Sequence, residues 1–315
     1  MRVLSLVTNE ESRFFRQQLT GLRGRGHEID VVAVPGRRID DGIDHGNRPP
    51  SAYLRFGVLA LDAARGDYDL IHANYGLTAP PAVLQWRHPV VLSLWGSDLL
   101  GEYGWLTRRC ARYADAVVVM SDEMASHLDR ECHVVPHGID LDRFKPEPRR
   151  TARRELGWNE DQPTVLFPYG PSREVKDYPR AARIVDRAQD ELGEPIALET
   201  VTGEPHHRMP LYLNAADAMI LSSKSEGSPN SVKEALACNL PVISVDVGNV
   251  RTLLEGVSHS VVDADDEVLA RALAEVLRER PDSNGRERVA DIALEHQLSR
   301  IEDIFRSVAP GAGGS

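Results

Sequence analysis

Two glutamates, Glu226 and Glu234, lie eight positions apart around a turn that opens a predicted helix. Ser228 is a good N-cap residue, and Pro229 suits the first helical position, where its missing N–H is not needed. A helix start offers unpaired backbone N–H groups and a partial positive charge, so it readily binds anions. Glu226 precedes this anion site, and Glu234 lies roughly 7 Å further along the helix axis. The arrangement suits a ligand with a phosphate in the middle and hydroxyl-bearing groups at both ends, such as a nucleotide-sugar.

The segment around these glutamates lies between two apolar runs, Ala218–Leu221 and Pro241–Val245, that read as strands. It resembles the Glu-x7-Glu motif of retaining glycosyltransferases of the GT-B fold, in particular glycosyltransferase family 4 (group 1). The match extends through Glu-Gly, Pro-Asn, Glu-Ala-Leu-Ala-Cys and Leu-Pro-Val. The spacing alone favours a capped helix with two exposed acids, whereas the wider match favours the family. The resemblance implies that Glu226 contacts hydroxyls of the donor sugar and that Glu234 binds the ribose.

Two cations follow the first strand of the second half of the chain. Arg173 and Lys176 resemble the family's Arg-x-x-Lys segment, which holds the donor diphosphate. Fixed cations stabilise the negative charge that develops on a leaving phosphate more than they stabilise the ground state. The alternative is a solvated basic turn before a helix. The catalytic residues that the resemblance implies are Glu226, Arg173 and Lys176, and the donor-binding residues are Gly170, Arg173, Lys176, Glu226, Gly227, Ser228, Pro229, Asn230, Ser231 and Glu234.

The first half of the chain is predicted to bind the acceptor. Its opening loop, Thr8–Ser12, lacks the Gly-Gly pair that many relatives carry there. Trp95 occupies the place of the family's active-site histidine, and a tryptophan cannot transfer a proton. Transfer without a protein base remains open, because in the front-face mechanism proposed for the family the leaving phosphate takes the acceptor proton. The candidate acceptor-side residues are Asn9, His72, Asn74, Trp95 and Asp98.

Other polar positions are given structural interpretations. Gly248 follows the strand after the glutamate motif. Two interpretations of this glycine remain, a close approach of its backbone to the ligand and a structural turn. Asp217 resembles a family aspartate whose role is mostly structural. His137 reads as a hinge residue. The pair His206–His207 reads as surface, without partner acids at metal-ligand spacing, and no metal site is predicted.

Short apolar runs alternate with helical patterns along the whole chain, which predicts parallel sheets covered by helices. With the family resemblance, this predicts an α/β protein of the GT-B fold, with two Rossmann-like doubly wound domains facing each other across a cleft. Two prolines followed by a charged run, near Pro146–Arg154, indicate the linker. The predicted parts are an acceptor-binding domain 1–145, a donor-binding domain 146–285, a helix 286–308 that crosses back to the first domain, and a flexible tail 309–315.

Composition narrows the class of protein further. A chain of 315 residues with 42% hydrophobic residues can form two domains. The net charge of −11 argues against nonspecific nucleic-acid binding. Three widely separated cysteines and an N-terminus that reads as a strand favour the cytoplasm, without disulfides. Peripheral association with the inner face of the cell membrane stays open, because many relatives act on lipid-linked acceptors, although no basic amphipathic helix stands out.

The family resemblance implies a retaining hexosyltransferase of enzyme class EC 2.4. It would move a sugar from a nucleotide-sugar to a hydroxyl of a glycan or a lipid-linked acceptor, in glycan or polysaccharide biosynthesis, without a metal or another cofactor. Two alternatives remain. One is a catalytically impaired nucleotide-sugar-binding subunit of a glycosyltransferase complex, and the other is a GT-B nucleotide-sugar epimerase. The nucleotide base, the sugar, the acceptor and the oligomeric state are left open.

Overall fold

The computed structural model describes residues 1–36, 48–309 and 311. It divides into two units, each of which is compact by itself. Unit 1 comprises Met1–Gly138 together with Glu295–Ser315, and unit 2 comprises Ile139–Leu294. Apart from residues 309 and 311, the predicted flexible tail lies outside the described residues.

Unit 1 contains a sheet of six parallel strands in the order β2-β1-β3-β4-β5-β6. Helices cover both faces of this sheet. The α1 and α14 helices pack on one face, and the other helices of unit 1 pack into a single apolar core on the opposite face. The strands are β1 (Arg2–Val7), β2 (Glu28–Ala33), β3 (Leu70–Asn74), β4 (Val90–Ser93), β5 (Ala116–Val119) and β6 (His133–Val134). The helices are α1 (Arg13–Gly24), α2 (Pro50–Ala63), α3 (Ala79–Leu84), α4 (Ser97–Leu100), α5 (Gly104–Ala111), α6 (Asp122–Ser126) and α14 (Leu294–Val308).

Unit 2 repeats this winding order over five parallel strands, β11-β10-β9-β7-β8. Two apolar cores lie on the two faces of its sheet. The strands are β7 (Thr164–Phe167), β8 (Ala197–Thr200), β9 (Ala218–Leu221), β10 (Val242–Val245) and β11 (Val261–Asp263). The helices are α7 (Arg149–Leu156), α8 (Tyr178–Leu192), α9 (Met209–Ala215), α10 (Asn230–Ala237), α11 (Val250–Leu254), α12 (Asp266–Glu279) and α13 (Gly285–Arg288).

The prediction of an α/β protein with two parallel, doubly wound sheets is confirmed. The strand order places a topological switch point between β1 and β3 in unit 1 and between β7 and β9 in unit 2. Ligands of such sheets bind beyond the carboxyl ends of the strands at the switch point. The predicted donor residues lie in the loops after β7 and β9 and on α10. The predicted acceptor residues follow β1 and β4, except for His72 and Asn74, which lie within β3.

The predicted continuous helix 286–308 is broken in the structure. The α13 helix ends at Arg288, and α14 begins only at Leu294. Between them Ala293 is extended and pairs with Ile139, and the amide of Leu294 donates to the Ile139 carbonyl. Gly285 packs against Leu236, so the first part of the predicted helix belongs to unit 2. Helical periodicity carries no information on such a long-range backbone pairing.

The boundary between the units also differs from the predicted linker. The two units meet in sequence at Gly138 and Ile139, seven residues before the predicted boundary at Lys145. The reason is that Ile139 and Phe144 are both 3% exposed and belong to the apolar core of unit 2. In the described ranges, every helix is too short or too polar to traverse a bilayer.

Candidate active site

The loops that follow β7 and β9 are tied together by hydrogen bonds in unit 2. The Ser222 hydroxyl donates to the carbonyls of Lys176 (3.0 Å) and Asp177 (2.9 Å). The amide of Lys224 donates to the Val175 carbonyl at 2.9 Å. Two segments that are about fifty residues apart in sequence therefore form one surface at the switch point of the sheet.

Lys176 and Glu226 form an ion pair across these two loops. The Nζ of Lys176 donates to Oε1 of Glu226 at 2.6 Å, and the side chains are 10% and 12% exposed. The hydroxyl of Ser223 donates to the same oxygen at 2.6 Å. An ion pair this sheltered from water is stronger than a surface pair. It holds the Glu226 carboxylate in one position.

Tyr169 lies beneath both predicted cations. The centre of its ring is 4.1 Å from the Lys176 Nζ and 5.7 Å from the guanidinium carbon of Arg173, which are distances typical of cation–π contacts. Its hydroxyl is 2.5 Å from that of Ser231, near the start of α10. Burial, followed by the nearby Glu226 carboxylate, raises the pKa of the Tyr169 hydroxyl well above its usual range. Tyr169 thus links the cation loop to the helix start and stays neutral.

Arg173 is the exposed cation of this group. It contacts the ring of Tyr169, and within the part of the chain that the structure describes no carboxylate forms an ion pair with it. A guanidinium with this freedom can donate to two oxygens of one phosphate. The arrangement therefore offers one buried cation, Lys176, and one exposed cation, Arg173, at the same edge of the sheet.

Glu234 lies inside α10 and is 5% exposed. Its Oε1 is 2.9 Å from Nε2 of His206, whose ring lies 5.4 Å from that of Phe144. His206, interpreted from the sequence as a surface residue, is instead half-buried and contacts Glu234, an acid 28 positions away in the sequence, whereas its neighbour His207 is exposed. The preceding residue, Lys233, is 2% exposed, and burial lowers its pKa to about 8.

The helix start differs from the prediction by one residue. Pro229 occupies the N-cap position, and α10 begins at Asn230. The Ser228 hydroxyl accepts a hydrogen bond from Nδ2 of Asn249 at 3.1 Å, and the amide of Asn249 donates to the carbonyl of Gly227 at 2.9 Å. The loop after β10 thus supports the loop that carries the predicted donor residues. The remaining predicted donor residue, Gly170, is half-buried beside Thr202.

In unit 1, Trp95 belongs to an aromatic cluster with Phe14 and His137. The ring of Phe14 is 6.2 Å from that of Trp95 and 4.3 Å from that of His137. The Trp95 Nε1 donates to Oδ1 of Asn74 at 2.7 Å, and Asn74 Nδ2 donates to Gln18 at 2.6 Å. Trp95 is half-buried, so part of its surface remains accessible. Asn74 is 3% exposed, so its contact with the accessible part of the cluster is the hydrogen bond from Trp95.

Asp98 joins the loops after β3 and β4. Its carboxylate accepts hydrogen bonds from the amides of Trp95 and Gly96 at 2.9 Å and of Gly76 at 2.8 Å. Burial raises its pKa although these amides oppose the effect. The next residue back in the β3 loop, Tyr75, has a φ of 140°, which is unusual outside glycine. Asp98 is 3% exposed and orders the backbone of the predicted acceptor loops.

Two further predicted acceptor residues, His72 and Asn9, are buried, as Asn74 and Asp98 are. His72 is 2% exposed, its Nε2 is 2.8 Å from the Ser93 hydroxyl, and its ring lies 5.1 Å from that of Phe305. In this structure it has no route to an acceptor, and we assign it to the core of unit 1. Asn9 is 8% exposed, and its Oδ1 accepts from the amide of Glu11 at 3.2 Å.

The burial of His72 predicts a pH dependence of stability. Burial lowers its pKa to about 4, whereas an unfolded histidine has a pKa of about 6.5. Between these values the unfolded state binds the proton and the folded state does not, so stability falls as the pH drops through this window. We expect His72 to contribute up to about 3 kcal/mol to this loss between pH 7 and pH 4.

Denaturation of the His72→Gln variant at several pH values measures this contribution. The acid-induced loss of stability should shrink relative to that of the unchanged protein. Burial also lowers the pKa of His27 in the same unit, so part of the slope should remain. His133→Gln, at an exposed histidine of β6, is the matched control and should leave the slope unchanged. Equal slopes for His72→Gln and the unchanged protein would contradict the assignment.

No three His, Cys, Asp or Glu side chains come together at metal-binding positions in residues 1–36, 48–309 and 311.

Two family models match the chain. The model described as Glycosyl transferases group 1 matches residues 174–279, and the model described as Glycosyltransferase Family 4 matches residues 12–143. The first match lies within unit 2, and the second covers unit 1 from residue 12 and continues into the first five residues of unit 2, 139–143.

Individual proteins are similar over most of the chain. The putative teichuronic acid biosynthesis glycosyltransferase TuaC of Bacillus subtilis is 31% identical over 259 residues, which cover 72% of this chain and 65% of the relative. Sucrose-phosphate synthase from Thermosynechococcus elongatus has a TM-score of 0.69 at 18% identity, over 99% of this chain and 100% of that chain. Anabaena Alr3699/HepE in complex with UDP has a TM-score of 0.66 at 16% identity, over 98% and 100%.

Proposed function

The chain belongs to the group 1, family 4 glycosyltransferases and has the GT-B fold, and from that premise we propose that it transfers a sugar from a nucleoside diphosphate sugar to a hydroxyl group of a glycan or lipid-linked acceptor. Transfer proceeds with retention at the anomeric carbon and serves glycan or polysaccharide synthesis. The observation that carries the proposal is the convergence of Lys176, Arg173 and Glu226 around Tyr169 beside the start of α10.

In this proposal the donor diphosphate binds between the two cations and the helix start. Arg173 reaches it from solvent, and Lys176 lies deeper, shared with Glu226. The start of α10 adds backbone N–H groups and a partial positive charge. Glu226, held by Lys176 and Ser223, accepts hydrogen bonds from hydroxyls of the sugar. The protein groups thus supply the positive charge that stabilises the leaving diphosphate.

The ribose binds at Glu234. A carboxylate can accept hydrogen bonds from both ribose hydroxyls. His206, which is 28 positions away in the sequence, contacts the Glu234 carboxylate and holds its side chain in place. Positioning residues of this kind lower the cost of ordering the site on binding. We infer that His206 belongs to the nucleotide site, although the motif that contains Glu234 does not include it.

The bond changes of the proposed reaction balance without a protein base. The anomeric C–O bond to the diphosphate breaks, and the acceptor oxygen bonds to the same face of the sugar. The acceptor proton passes to an oxygen of the leaving diphosphate. Trp95, which cannot transfer a proton, is compatible with this route and offers an aromatic surface to the acceptor sugar. The proposal needs no metal, because cations and helix N–H groups take the role of a metal ion.

Uridine diphosphate sugars are the first donors to test, because the structurally similar Anabaena protein forms a complex with UDP. The test is a thermal-shift screen against UDP, GDP, ADP and their sugar conjugates. A ligand at a hundred times its Kd stabilises the folded state by about 2.7 kcal/mol. Glu234→Ala and Arg173→Ala should abolish the shift. Glu194→Ala and Arg183→Ala, at exposed positions of unit 2, are the matched controls and should keep it.

The responsive donor is then incubated with glycan and lipid-linked acceptors, and the anomeric configuration of the product is read by NMR. A product with inverted configuration would contradict the retaining mechanism. Binding without transfer across all acceptors would favour a nucleotide-sugar-binding subunit. The absence of any nucleotide shift would overturn the donor site itself.

Gly248 offers a sharper test of the donor loop. Its φ is +55°, and a Cβ at this position would lie 2.3 Å from the Gly227 carbonyl oxygen and 2.7 Å from that of Glu226. Because both neighbours are backbone atoms, Gly248→Ala must displace the loop that carries Glu226. We expect the donor Kd to rise about tenfold, which corresponds to about 1.4 kcal/mol of binding free energy.

Gly256→Ala is the control for backbone strain alone. Gly256 has a φ of +71°, but no heavy atom lies within 4 Å of the added Cβ position. Both variants should lose stability because alanine disfavours a positive φ. Calorimetric titration with the donor nucleotide should show weaker binding only for Gly248→Ala. Equal donor affinities in the two variants would contradict a role for Gly248 in shaping the site.

A further inference from the structure

Exposed apolar side chains concentrate on one part of unit 1. The described part of the chain has twelve exposed large hydrophobic residues, of which ten lie between residues 54 and 113 and the other two are Val175 and Val268. Trp86 is 92% exposed, which is unusual for a tryptophan. The ten residues are Leu54, Val58, Leu59, Leu61, Leu84, Trp86, Leu100, Tyr103, Trp105 and Tyr113. A concentration of this kind on one surface marks an interaction site.

These residues share the outer side of a single helix layer. The inner sides of α2, α3 and α5 pack into one core on the same face of the sheet, and α3 contacts both of its neighbours. Phe56 of α2, Ala82 of α3 and Cys110 of α5 belong to that core. The opposite sides of the three helices therefore point to the same solvent. We call the outer side of α2, α3 and α5, with Leu100 at the end of α4 and the loops that follow α3, α4 and α5, the outer layer surface.

The α5 helix and the residues just after it carry an amphipathic stripe. Its buried side consists of small residues, including Gly104 and Ala111. Its exposed side carries aromatic rings and guanidinium groups at a spacing of three and four residues, which places them in one row. The members of the row are Trp105, Arg108, Arg109, Arg112 and Tyr113. The sequence did not make this row stand out, because the α5 helix is only 8 residues long.

The charge of this region differs from that of the rest of the chain. Residues 50–113 contain six arginines and five acids, whereas the whole chain carries a net charge of −11. One of the five acids, Asp98, is buried and bound to backbone amides. Arg112 pairs with Asp129 at the surface, and no described residue forms an ion pair with Arg109. The outer layer surface is thus the part of unit 1 where apolar, aromatic and cationic groups combine.

We propose that the outer layer surface docks on an anionic phospholipid bilayer. Tryptophan and tyrosine prefer the boundary between headgroups and acyl chains, leucine and valine enter the acyl region, and arginine binds lipid phosphates. The acidic remainder of the chain is repelled by the same bilayer, so attraction at this surface fixes the orientation of unit 1. A symmetric second copy is disfavoured, because it would place two arginine rows against each other.

This inference goes beyond the proposed transfer reaction and does not depend on the donor site. The experiment is cosedimentation of the full chain with two kinds of vesicle, phosphatidylcholine alone and phosphatidylcholine mixed with phosphatidylglycerol. Anionic vesicles should bind the protein about tenfold more tightly, and added salt should weaken the binding. Brominated lipids should quench the emission of the exposed tryptophans Trp86 and Trp105 in the bound protein.

The variant Trp105→Ser/Arg109→Glu should lose binding to anionic vesicles by about tenfold or more. Val268→Ser/Arg278→Glu, at exposed positions of α12 in unit 2, makes the same change of charge and should bind normally. Thermal melts show whether each variant is folded. Equal binding of the two variants, or no binding of the unchanged protein to anionic vesicles, would overturn the proposal. So would a dimer in sedimentation that Trp105→Ser/Arg109→Glu converts to a monomer.

Discussion

Replacing Lys176 by methionine is expected to lower the rate of sugar transfer at saturating donor by about 10² to 10³-fold, which is the usual effect of removing one group that stabilises developing charge. The ammonium group is 2.6 Å from the Glu226 carboxylate and 4.1 Å from the centre of the Tyr169 ring, and the residue is 8% exposed. Water cannot easily replace it there. Methionine keeps the length of the side chain and removes only the charge and the donors.

The change acts on the transition state more than on donor binding, because negative charge on the diphosphate increases as the glycosidic bond breaks. Donor affinity should therefore fall by less than the rate. Initial rates and calorimetric titrations on the same preparation separate the two effects. Arg173, the exposed cation of the same group, is unchanged in the variant, and we expect it to preserve part of the donor binding.

Lys224→Met is the matched control. Lys224 is exposed, and its amide donates a hydrogen bond to the Val175 carbonyl on the same pair of loops. The substitution therefore removes a nearby positive charge and leaves the ion pair between Lys176 and Glu226 intact. Its transfer rate should stay within about twofold of that of the unchanged protein, because surface charges are screened by water and salt. A folded Lys176→Met variant with the rate of the Lys224→Met control would refute the assigned role.

Much of the fold could be predicted because its strands are short, apolar and bounded by turn residues. The runs at Thr164–Phe167 and Ala218–Leu221 are strands with those bounds. The sequence places Arg173 and Lys176 after the first of these strands and Glu226 after the second, and the structure adds that the two strands are neighbours in the sheet. The carboxyl ends of parallel strands meet at one edge, and the structure places Lys176 and Glu226 in contact there.

Other parts of the site could not be predicted from local patterns. His206 meets Glu234 although the two are 28 residues apart, and nothing in the sequence near either one indicates the pair. His72 is in a strand that is buried on both faces, so alternation is lost and a core histidine looks the same as an accessible one. The break at Ala293 depends on a backbone pairing with Ile139. These features follow from long-range packing, and only coordinates reveal them.

Removing the carboxylate of Asp217 is expected to give the largest loss of stability in unit 2. Asp217 and Arg153 are both 0% exposed, and the Arg153 Nη2 donates to Asp217 Oδ2 at 2.7 Å. The amide of Thr164 donates to the same oxygen at 2.8 Å, and Arg149 is 3.0 Å from the other oxygen. Arg153 also donates to the carbonyl of Ala215 at 2.8 Å. The pair joins α7, the start of β7 and the end of α9.

Asp217→Ala leaves the Arg153 guanidinium buried without a counter-charge, and breaking a buried pair in this way costs about 3–5 kcal/mol. Since whole domains are stable by only about 5–15 kcal/mol, unit 2 should approach the limit of folding. Hydrogen exchange of the β7 and β9 amides, read by mass spectrometry, measures the loss within unit 2 alone. Asp217→Asn keeps one hydrogen-bond acceptor, so its stability should lie between that of the unchanged protein and that of Asp217→Ala. This variant gives a result even if the alanine variant does not fold.

The matched control is a second arginine–aspartate pair of the same unit. Arg251 and Asp246 are also 2.7 Å apart, but their side chains are 62% and 42% exposed. Asp246→Ala should change the exchange rates little, because water and salt already screen that pair. The two pairs have the same residue types and the same distance, so the comparison tests the effect of burial together with the additional contacts of Asp217 to Thr164 and Arg149. Similar losses from Asp217→Ala and Asp246→Ala would show that Arg153 finds other partners and that the buried pair does not hold unit 2 together.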